Sequence, residues 1–542
     1  MDSDQIDIGA LSAPGAYPHD PSASGEIELV QTHISLVFLT GERVYKFRKP
    51  VDLGFVDFST QARRNADCLR EIELNRRLAP GVYLGVAPLR RDGDRVWIGE
   101  VAESLAGTVE HGEAVEHCVV MRRLPAARDA LSLLSESSLD AGQIDRIART
   151  VARFHVEHRL GRPAPFPREQ WLERVQAPVR ENFAVLEAAA STIDAAATLD
   201  AARGRMDAAF EELAVHFEAR RLSGLAVDGH GDLHLQHIWL ETDEARPLIV
   251  DCVEFNDRLR KIDAASDVAF LAMDLSYRDR PDLAARLLRV YAAEIDDFGL
   301  YPVVDYFVGY RASVRAKVAA IAAADLRIAS AQRTAAAESA RDHLELVVST
   351  LTRPRAPALV LTCGVVGSGK STVADVIADE LHAVSIASDR VRRRRELVDG
   401  DAAAARESRY ALADRDRVYD AMLERAAPVV ESGRAAILDA TFSRRGWRDA
   451  VRAWASKRGV PVFLIETRAP AGAIRERLRR RAEAAASISE AGPDVYPISV
   501  AELEPPAEWP TVTRFVVDTG AASWRERAVD VAAAISTQIA AA

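Results

Sequence analysis

Eight residues, Gly364–Ser371, constrain the fold of this chain more than any other feature. They read Gly-Val-Val-Gly-Ser-Gly-Lys-Ser, which places four residues between the first glycine and a Gly-Lys-Ser triplet. An apolar run, Leu359–Leu361, precedes them, and a helical pattern, Thr372–Leu381, follows. Glycines let such a loop curl until its N–H groups converge on phosphate oxygens, and the helix start adds partial positive charge. The agreement of strand, spacing and helix predicts a loop that binds nucleotide phosphates rather than a chance glycine-rich turn.

The loop predicts the cofactors ATP and Mg²⁺. Lys370 is expected to reach the β- and γ-phosphates, and the Ser371 hydroxyl is expected to be a ligand of Mg²⁺. The residues expected to contact the nucleotide here are Gly364, Val365, Val366, Gly367, Ser368, Gly369, Lys370, Ser371 and Thr372.

Around this loop, β-type segments alternate with helical ones. The predicted strands are Ala358–Cys363, Ala383–Ala387, Ala435–Leu438, Val460–Glu466 and Val512–Val517. Such alternation indicates an α/β domain with a parallel sheet, here residues 358–542. The proline-containing stretch at 353–357 ends the preceding helical pattern and is predicted to be a linker.

Two acidic residues are expected beside the loop, because ligands of such sheets bind beyond the carboxyl ends of the strands. Asp389 follows the second predicted strand with Arg392 close behind it, and Asp439 ends the third. A carboxylate there can take a proton from an acceptor hydroxyl, while arginines neutralise a phosphoryl group in transfer.

This half resembles the small P-loop kinases that include gluconate kinase and the kinase domain of polynucleotide kinase. The resemblance rests on the loop and on the Asp-x-x-Arg pattern of Asp389 and Arg392. It implies that Asp389 is the acceptor base and that Arg392 binds the acceptor or a phosphate. Asp439 resembles the Walker B acid, which lies beside the Mg²⁺ ion. Arg477 and Arg481 resemble the lid arginines that contact the nucleotide.

The front half contains a second set of residues typical of phosphoryl transfer. His230-Gly231-Asp232 is followed by a short strand that carries Asp251, and upstream Lys46 lies on a predicted hairpin strand with Glu71 on the next helix. Phosphoryl transfer needs a carboxylate near the acceptor, ligands for Mg²⁺, and a lysine held by a glutamate on the α- and β-phosphates.

These residues resemble the aminoglycoside phosphotransferase group of kinase-like enzymes, which implies an α+β kinase-like domain over residues 26–352. By that resemblance Asp232 is the catalytic base, Asp251 a metal ligand, and Met121 lies at the hinge that contacts adenine. His237 occupies the place where that group has asparagine as a metal ligand. An imidazole matches Mg²⁺ less well than an amide oxygen, so the site is either altered in metal preference, weakened, or kept only for binding.

The whole chain is similar to a family of two-domain bacterial proteins in which an aminoglycoside phosphotransferase-like domain precedes a P-loop kinase domain. Thr32-His33-Ile34-Ser35 and Lys46-Phe47-Arg48-Lys49-Pro50 carry this resemblance. Residues 1–25, rich in Pro, Ser, Gly and Asp, are predicted to be a disordered arm.

Charge distribution bears on the partners. Of the net charge of −11, residues 355–542 contribute 28 Lys and Arg against 26 Asp and Glu, which leaves 42 against 55 for residues 1–354. An acidic front half disfavours nucleic acid as a partner, although the C-terminal domain leaves that possibility open. We expect a small-molecule acceptor. No long apolar run occurs, so we expect no membrane span. The four cysteines are far apart, which favours a cytoplasmic location. The sequence leaves the oligomeric state open.

The sequence therefore predicts an ATP-dependent kinase that acts on a hydroxyl of a small molecule such as a sugar or sugar acid. Three alternatives stay open. The front domain could be a non-catalytic sensor that regulates the P-loop domain, and the P-loop domain could be a polynucleotide kinase or a nucleotide-hydrolysing switch.

Overall fold

The computed structural model of the chain describes residues 6–32, 34–52, 57–106, 114–242, 244–352, 356–399, 412–483 and 494–541. The chain forms two compact units. The first consists of Met1–Val175 and Arg221–Asp274, and the second of Gln176–Arg220 and Leu275–Ala542. Residues 353–355 lie outside the described residues, so the linker at 353–357 stays a prediction.

The first unit is built on a six-stranded antiparallel sheet. Its strands are β1 (Glu28–Gln31), β2 (Ser35–Leu39), β3 (Arg43–Arg48), β4 (Tyr83–Asp92), β5 (Arg95–Ile98) and β6 (Glu116–Arg122). They lie in the order β1-β2-β3-β6-β4-β5. The predicted hairpin is confirmed, since β2 and β3 pair with Phe38 opposite Tyr45. One face of the sheet buries an apolar cluster that includes Phe38, Phe47 and Val120.

The N-terminal segment corrects one prediction. Residues 6–25, expected to be disordered, contain a short helix at Ile8–Leu11 and a 3₁₀ turn at Pro14–Ala16. Leu11 and Tyr17 are fully buried in the same cluster as Phe38, and the Tyr17 hydroxyl donates to the carbonyl of Leu11 at 2.7 Å. Apolar side chains spaced among the prolines and glycines outweigh the disorder-prone composition, because a neighbouring sheet face covers them.

The rest of the first unit is helical with short strands. Its helices are Gln61–Asn75, Ala130–Ser135, Ala141–Glu157, Asp257–Arg260 and the first part of Ala264–Tyr277. Four short strands form two antiparallel pairs, β7 (Ala226–Asp228) with β10 (Lys261–Asp263) and β8 (Ile238–Trp239) with β9 (Leu248–Ile249). Thr60 caps the helix Gln61–Asn75, and Asp140 forms a capping box with Gln143. These caps fix where the two helices begin.

The second unit contains a five-stranded parallel sheet. Its strands are β11 (Ala358–Cys363), β12 (Val384–Ala387), β13 (Ala435–Asp439), β14 (Val462–Arg468) and β15 (Arg514–Asp518), in the order β12-β13-β11-β14-β15. All residues of β11 and β13 are buried, as expected for central strands covered on both faces. The predicted parallel α/β sheet is therefore confirmed.

Helices surround this sheet. They are Lys370–Leu381, Ser388–Asp399, Leu412–Glu431, Arg445–Ser456, Ala471–Glu483, Val495–Ala501 and Trp524–Ala540. The second unit also includes the C-terminal part of Arg168–Ala188, most of Ala196–Leu222, and Ala190–Ile193, Pro281–Ile295, Tyr301–Ala324 and Ser330–Leu351. Among the described residues, every helix is too short or too polar to span a bilayer.

Ion pairs tie the helix Pro281–Ile295 to the helix after the phosphate loop. Asp379 accepts from Arg286 at 2.9 Å and from Arg289 at 2.5 Å. Asp296, the residue directly after the helix Pro281–Ile295, accepts from Arg425 of the helix Leu412–Glu431 at 2.6 and 2.7 Å. The helices before the predicted linker therefore group with the P-loop domain in this structure.

Leu11 and Ile8, on the same short helix, test the packed N-terminal segment. Leu11 is 0% exposed and Ile8 is 37% exposed. Leu11→Ala should lower the free energy of unfolding of the first unit by about 2–5 kcal/mol, because it leaves a cavity in the core. Ile8→Ala should cost less than about 1 kcal/mol. Urea unfolding followed by hydrogen exchange of β2 and β3 peptides measures both; equal effects would show that the segment does not pack.

Candidate functional site

The phosphate loop lies between β11 and the helix Lys370–Leu381. Gly367 and Gly369 have φ angles of 78° and 90°, a region that side-chain-bearing residues rarely adopt. A Cβ at Gly367 would lie 3.0 Å from the Ile474 side chain, and one at Gly369 would lie 2.9 Å from Thr519. Conformation and close packing thus both require glycine at these two positions.

Hydrogen bonds with neighbouring residues hold the loop in place. The Ser368 hydroxyl is buried and lies 2.6 Å from the Thr467 hydroxyl, and the Thr519 hydroxyl donates to the Ser368 carbonyl at 2.8 Å. Lys370 Nζ donates to the Val365 carbonyl at 2.9 Å, so this side chain folds back over the loop. The N–H of Val366 donates to Ser499 Oγ at 3.0 Å.

Ser371 and Asp439 provide the oxygen atoms beside the loop. Asp439 ends β13, is 7% exposed, and accepts hydrogen bonds from Ser371 and, at 3.3 Å, from Thr362. Burial raises the pKa of Asp439, and the negative charge of Asp389 adds to the rise. Hydroxyl and carboxylate oxygens are the ligands that Mg²⁺ prefers, so this donor set fits that ion.

Asp389 lies in the first turn of the helix Ser388–Asp399, directly after β12. Arg392 Nη1 donates to Asp389 Oδ1 at 3.3 Å, and the two side chains are 31% and 37% exposed. The negative charge of Asp389 also acts to raise the pKa of Lys370 and that of Asp439. Lys370, Asp389, Arg392 and Asp439, predicted from three separate parts of the sequence, therefore interact in the structure.

The two predicted lid arginines differ in their surroundings. Arg477 donates to the Gly367 carbonyl at 3.3 Å and to the hydroxyl and carbonyl of Thr519, both at 2.8 Å. It therefore supports the backbone of the loop. Arg481 lies one helical turn further on, and its charge helps to lower the pKa of Lys370, after the larger effect of burial.

In the first unit, the predicted pair of Lys46 and Glu71 is present. Lys46 Nζ lies 2.9 Å from Glu71 Oε1 and 2.8 Å from Asp251 Oδ1. Burial alone would lower the pKa of Lys46, but the carboxylates of Asp251 and Glu71 outweigh it and raise the pKa above its usual value. The charge of Lys46 in turn holds the pKa of Asp251 well below its usual range.

Arg48 and Glu254 extend this network and were missed in the sequence. Arg48 is 1% exposed and bonds Glu71 at 2.6 Å, with Asp67 and Glu254 as further carboxylate partners. Arg48 is two residues after Lys46 on β3, so it shares a face with Lys46. That period-two spacing was a signal that could have identified it. Glu254, in an irregular stretch after Asp251, offered no comparable signal.

A buried aspartate shapes the loop that carries Asp232. Asp267 accepts from the backbone N–H of His230 at 2.6 Å and of Gly231 at 2.8 Å, and its Oδ2 lies 3.0 Å from His155 Nε2. These contacts give Asp267 a structural role. His230 Nε2 lies 2.9 Å from the Val250 carbonyl, and burial lowers its pKa to about 4, so this imidazole is neutral.

Asp232, His234 and His237 meet at the end of this loop. The carboxylate of Asp232 lies 3.5 Å from His234 Nε2 and 3.7 Å from His237 Nδ1. Burial raises the pKa of Asp232, but the His234 hydrogen bond and the nearby histidines outweigh it, so the net pKa is low. Burial also lowers the pKa of His237.

Met121, predicted at the hinge, lies on β6 opposite Val44 and packs against the cluster of Cys68 and Ile72.

The residues of the first unit do not fit Mg²⁺ as those of the second do. His237 Nε2, a nitrogen, is the atom that lies 3.5 Å from Asp251 Oδ2. Mg²⁺ takes oxygen ligands and is held poorly by imidazole. The donor atoms of the first unit therefore disfavour Mg²⁺.

Known proteins match this chain over both units. A family model described as an AAA domain matches residues 359–506, which contain the phosphate loop, Asp389, Asp439 and Arg477. Uncharacterized proteins of Mycobacterium tuberculosis and Mycobacterium bovis are 32% identical over 506 residues, which is 93% of this chain and 94% of each relative. The chain belongs to the family of these mycobacterial proteins.

Solved structures are similar to parts of the chain. A gluconokinase from Sinorhizobium meliloti is 21% identical and covers 35% of this chain and 97% of its own, with a TM-score of 0.26. A choline/ethanolamine kinase family protein from Mesorhizobium loti is 17% identical and covers 63% of this chain and 98% of its own, with a TM-score of 0.31. The predicted fold classes, an α+β domain followed by an α/β domain with a parallel sheet and a P-loop, agree with the strands and helices of the structure.

The buried network around Arg48 predicts a pH dependence of stability. Burial raises the pKa of Glu254 to about 8, above the unfolded value of about 4.3. The folded state therefore binds this proton more tightly, and its stability falls as pH rises between the two values. Glu254→Gln keeps the shape of the side chain but cannot ionise, so it removes this loss.

The free energy of unfolding of Glu254→Gln, relative to the unchanged protein, should rise by up to about 1.4 kcal/mol per pH unit between about pH 5 and 8, and then level off. Urea unfolding at several pH values, followed by hydrogen exchange of Gln61–Asn75, measures this difference. A difference that does not vary with pH would mean that Glu254 is already ionised in the folded protein.

Proposed function

We propose that this protein is an ATP-dependent kinase whose second unit transfers the γ-phosphoryl group of ATP to a hydroxyl of a small molecule, such as a sugar or sugar acid. The observation that carries the proposal is Asp389, a partly exposed carboxylate paired with Arg392 and near Lys370 and Asp439. An acceptor base must be open to a substrate and close to the phosphates, and the exposure of Asp389 and its electrostatic interaction with Lys370 support this role.

In the proposed reaction, the loop N–H groups and Lys370 hold the phosphates of ATP. Asp389 accepts the proton of the acceptor hydroxyl as that oxygen attacks the γ-phosphorus, and ADP leaves. Arg392 and Arg481 stabilise negative charge on the transferring group or bind the acceptor. Mg²⁺, held by Ser371 with Asp439 beside it, would neutralise charge on the phosphates.

Two features support a small acceptor over a nucleic-acid end. Basic and acidic residues nearly balance over residues 355–542, at 28 against 26, whereas phosphate backbones require a basic face. Two tryptophans of this half are already engaged. Arg444 lies over the ring of Trp447, 5.7 Å from its centroid, and Trp509 is 3% exposed, so neither offers a free ring face for stacking bases.

The proposal is tested by incubating the full chain with labelled ATP and a metabolite extract, and identifying phosphorylated products by mass spectrometry. Lys370→Ala and Asp389→Asn should each lower the rate of product formation by about 10²-fold or more, because they remove a phosphate ligand and the acceptor base. Lys457→Ala, a lysine at the end of the helix Arg445–Ser456, is the matched control and should leave the rate unchanged.

Four outcomes would contradict the proposal in different ways. ATP hydrolysis without any phosphorylated acceptor favours a nucleotide-hydrolysing switch. Product formation only with oligonucleotides, and with a steep salt dependence, favours a polynucleotide kinase. Product formation abolished by Asp232→Asn but unaffected by Asp389→Asn would assign the transfer to the first unit instead. Equal activity of both variants and the unchanged protein would exclude both carboxylates as the base.

A further inference from the structure

A group of metal-binding donor atoms is present in the first unit. Asp232, His234 and His237 each offer one donor atom, and these atoms lie within 4.8 Å of one another. Within the described ranges of the chain, this is the one group of three such residues at this spacing. The rings of His234 and His237 are 3.9 Å apart between centroids, so two imidazoles share one small space beside a carboxylate.

The hydrogen bond of His237 decides which of its nitrogens is available. His237 Nδ1 lies 3.0 Å from the backbone carbonyl of Asp232. A carbonyl oxygen can only accept, so Nδ1 carries the hydrogen and Nε2 carries the lone pair. A histidine whose second nitrogen donates to a backbone carbonyl is oriented in the way that metal-binding histidines usually are.

The lone pair of His237 Nε2 lies beside a second donor. Asp251 Oδ2 is 3.5 Å from Nε2, whereas Asp251 Oδ1 is held by Lys46 Nζ at 2.8 Å. Two donor atoms that are each ~2.1 Å from a tetrahedral ion lie ~3.4 Å apart. The separation of Nε2 and Oδ2 thus matches a shared ion, and Lys46 fixes the carboxylate so that only Oδ2 is offered.

We propose that the first unit binds a divalent transition-metal ion, of the class of Mn²⁺ and Zn²⁺, through His237 Nε2 and Asp251 Oδ2, with Asp232 and His234 completing the site. Imidazole together with carboxylate suits such ions, whereas Mg²⁺ requires oxygen ligands. The metal of this unit therefore differs in class from the Mg²⁺ that fits Ser371 and Asp439 in the second unit.

This binding does not depend on phosphotransfer by the second unit. The ion would bind without nucleotide, so a failure of the kinase proposal leaves this site standing, and the reverse also holds.

Titration calorimetry of the full chain, freed of metal by a chelator and kept without nucleotide, tests the site with Zn²⁺, Mn²⁺ and Mg²⁺ in turn. Zn²⁺ or Mn²⁺ should bind at one site with a Kd at least about tenfold below that of Mg²⁺. His237→Asn should raise the Kd of Zn²⁺ and Mn²⁺ by about tenfold or more. The ratio of the Kd of Mg²⁺ to that of Zn²⁺ or Mn²⁺ should therefore fall. His382→Asn is the control, because His382 is exposed and has a φ of 49°, a conformation that asparagine tolerates.

Pulsed electron paramagnetic resonance of the unchanged protein with Mn²⁺ gives a second readout that needs no variant. Coupling to an imidazole nitrogen is expected at one equivalent of Mn²⁺, and it should be absent in His237→Asn. The proposal is overturned if Mg²⁺ binds as tightly as Zn²⁺ and Mn²⁺, if the nitrogen coupling is missing, or if His382→Asn weakens binding as much as His237→Asn does.

Discussion

The turn from β11 into the helix Lys370–Leu381 is the constraint on which the second unit depends. Three neighbouring residues leave no room for side chains in this turn. A Cβ at Gly364 would lie 2.6 Å from the Thr467 carbonyl, and those at Gly367 and Gly369 would contact Ile474 and Thr519. Ser368, Thr467, Thr519 and Arg477 then hold the same turn by hydrogen bonds. A loop supported in this way has its N–H groups arranged before a nucleotide arrives, so less ordering entropy is lost on binding.

In the first unit, a network of buried ion pairs, and not a glycine-rich turn, holds the candidate site residues in place. Lys46 and Arg48 share Glu71, and Asp67, Asp251 and Glu254 complete the network. Carboxyl groups outnumber cations in this buried space, which favours retention of a proton on one of them. The network joins β3, the helix Gln61–Asn75 and the segment after β9, so it sets the position of Asp251 relative to Lys46. Removing one partner would leave a buried charge unpaired, which is the costly way to break such a cluster.

The two units therefore present different donor atoms at their candidate sites. In the second unit, the groups near the loop are oxygen donors, a lysine and arginines, which suits phosphates and a hard cation. In the first unit, the imidazole of His237 stands where the resemblance to the kinase-like group implies an amide oxygen, and the imidazole of His234 lies beside it. A fold alone does not determine which ligand is bound, so the donor atoms of each site have to be considered separately.

Much of this could be predicted from the sequence, and the reason is local. The strands β11 to β15 were predicted to within two residues or so, because buried parallel strands are short continuous apolar runs between helical patterns. Gly364–Ser371 and the pair of Asp389 and Arg392 were identified because their spacing along the chain is itself the signal. The packed segment at residues 6–25 was predicted wrongly, because its composition resembles that of a disordered arm and only the covering sheet face stabilises it.

The sequence by itself determined the phosphate loop, the parallel sheet around it and the residues at the strand ends, since these follow from glycine conformation and hydrophobic period. Only the tertiary structure decided that Ser499 contacts the loop, that Arg477 supports its backbone, that Arg48 and Glu254 join Lys46, and that His237 Nε2 faces Asp251. Each of these contacts links positions far apart in the chain through side chains whose direction depends on packing. No spacing along a sequence specifies such a direction, because it is set by the neighbours that folding brings together.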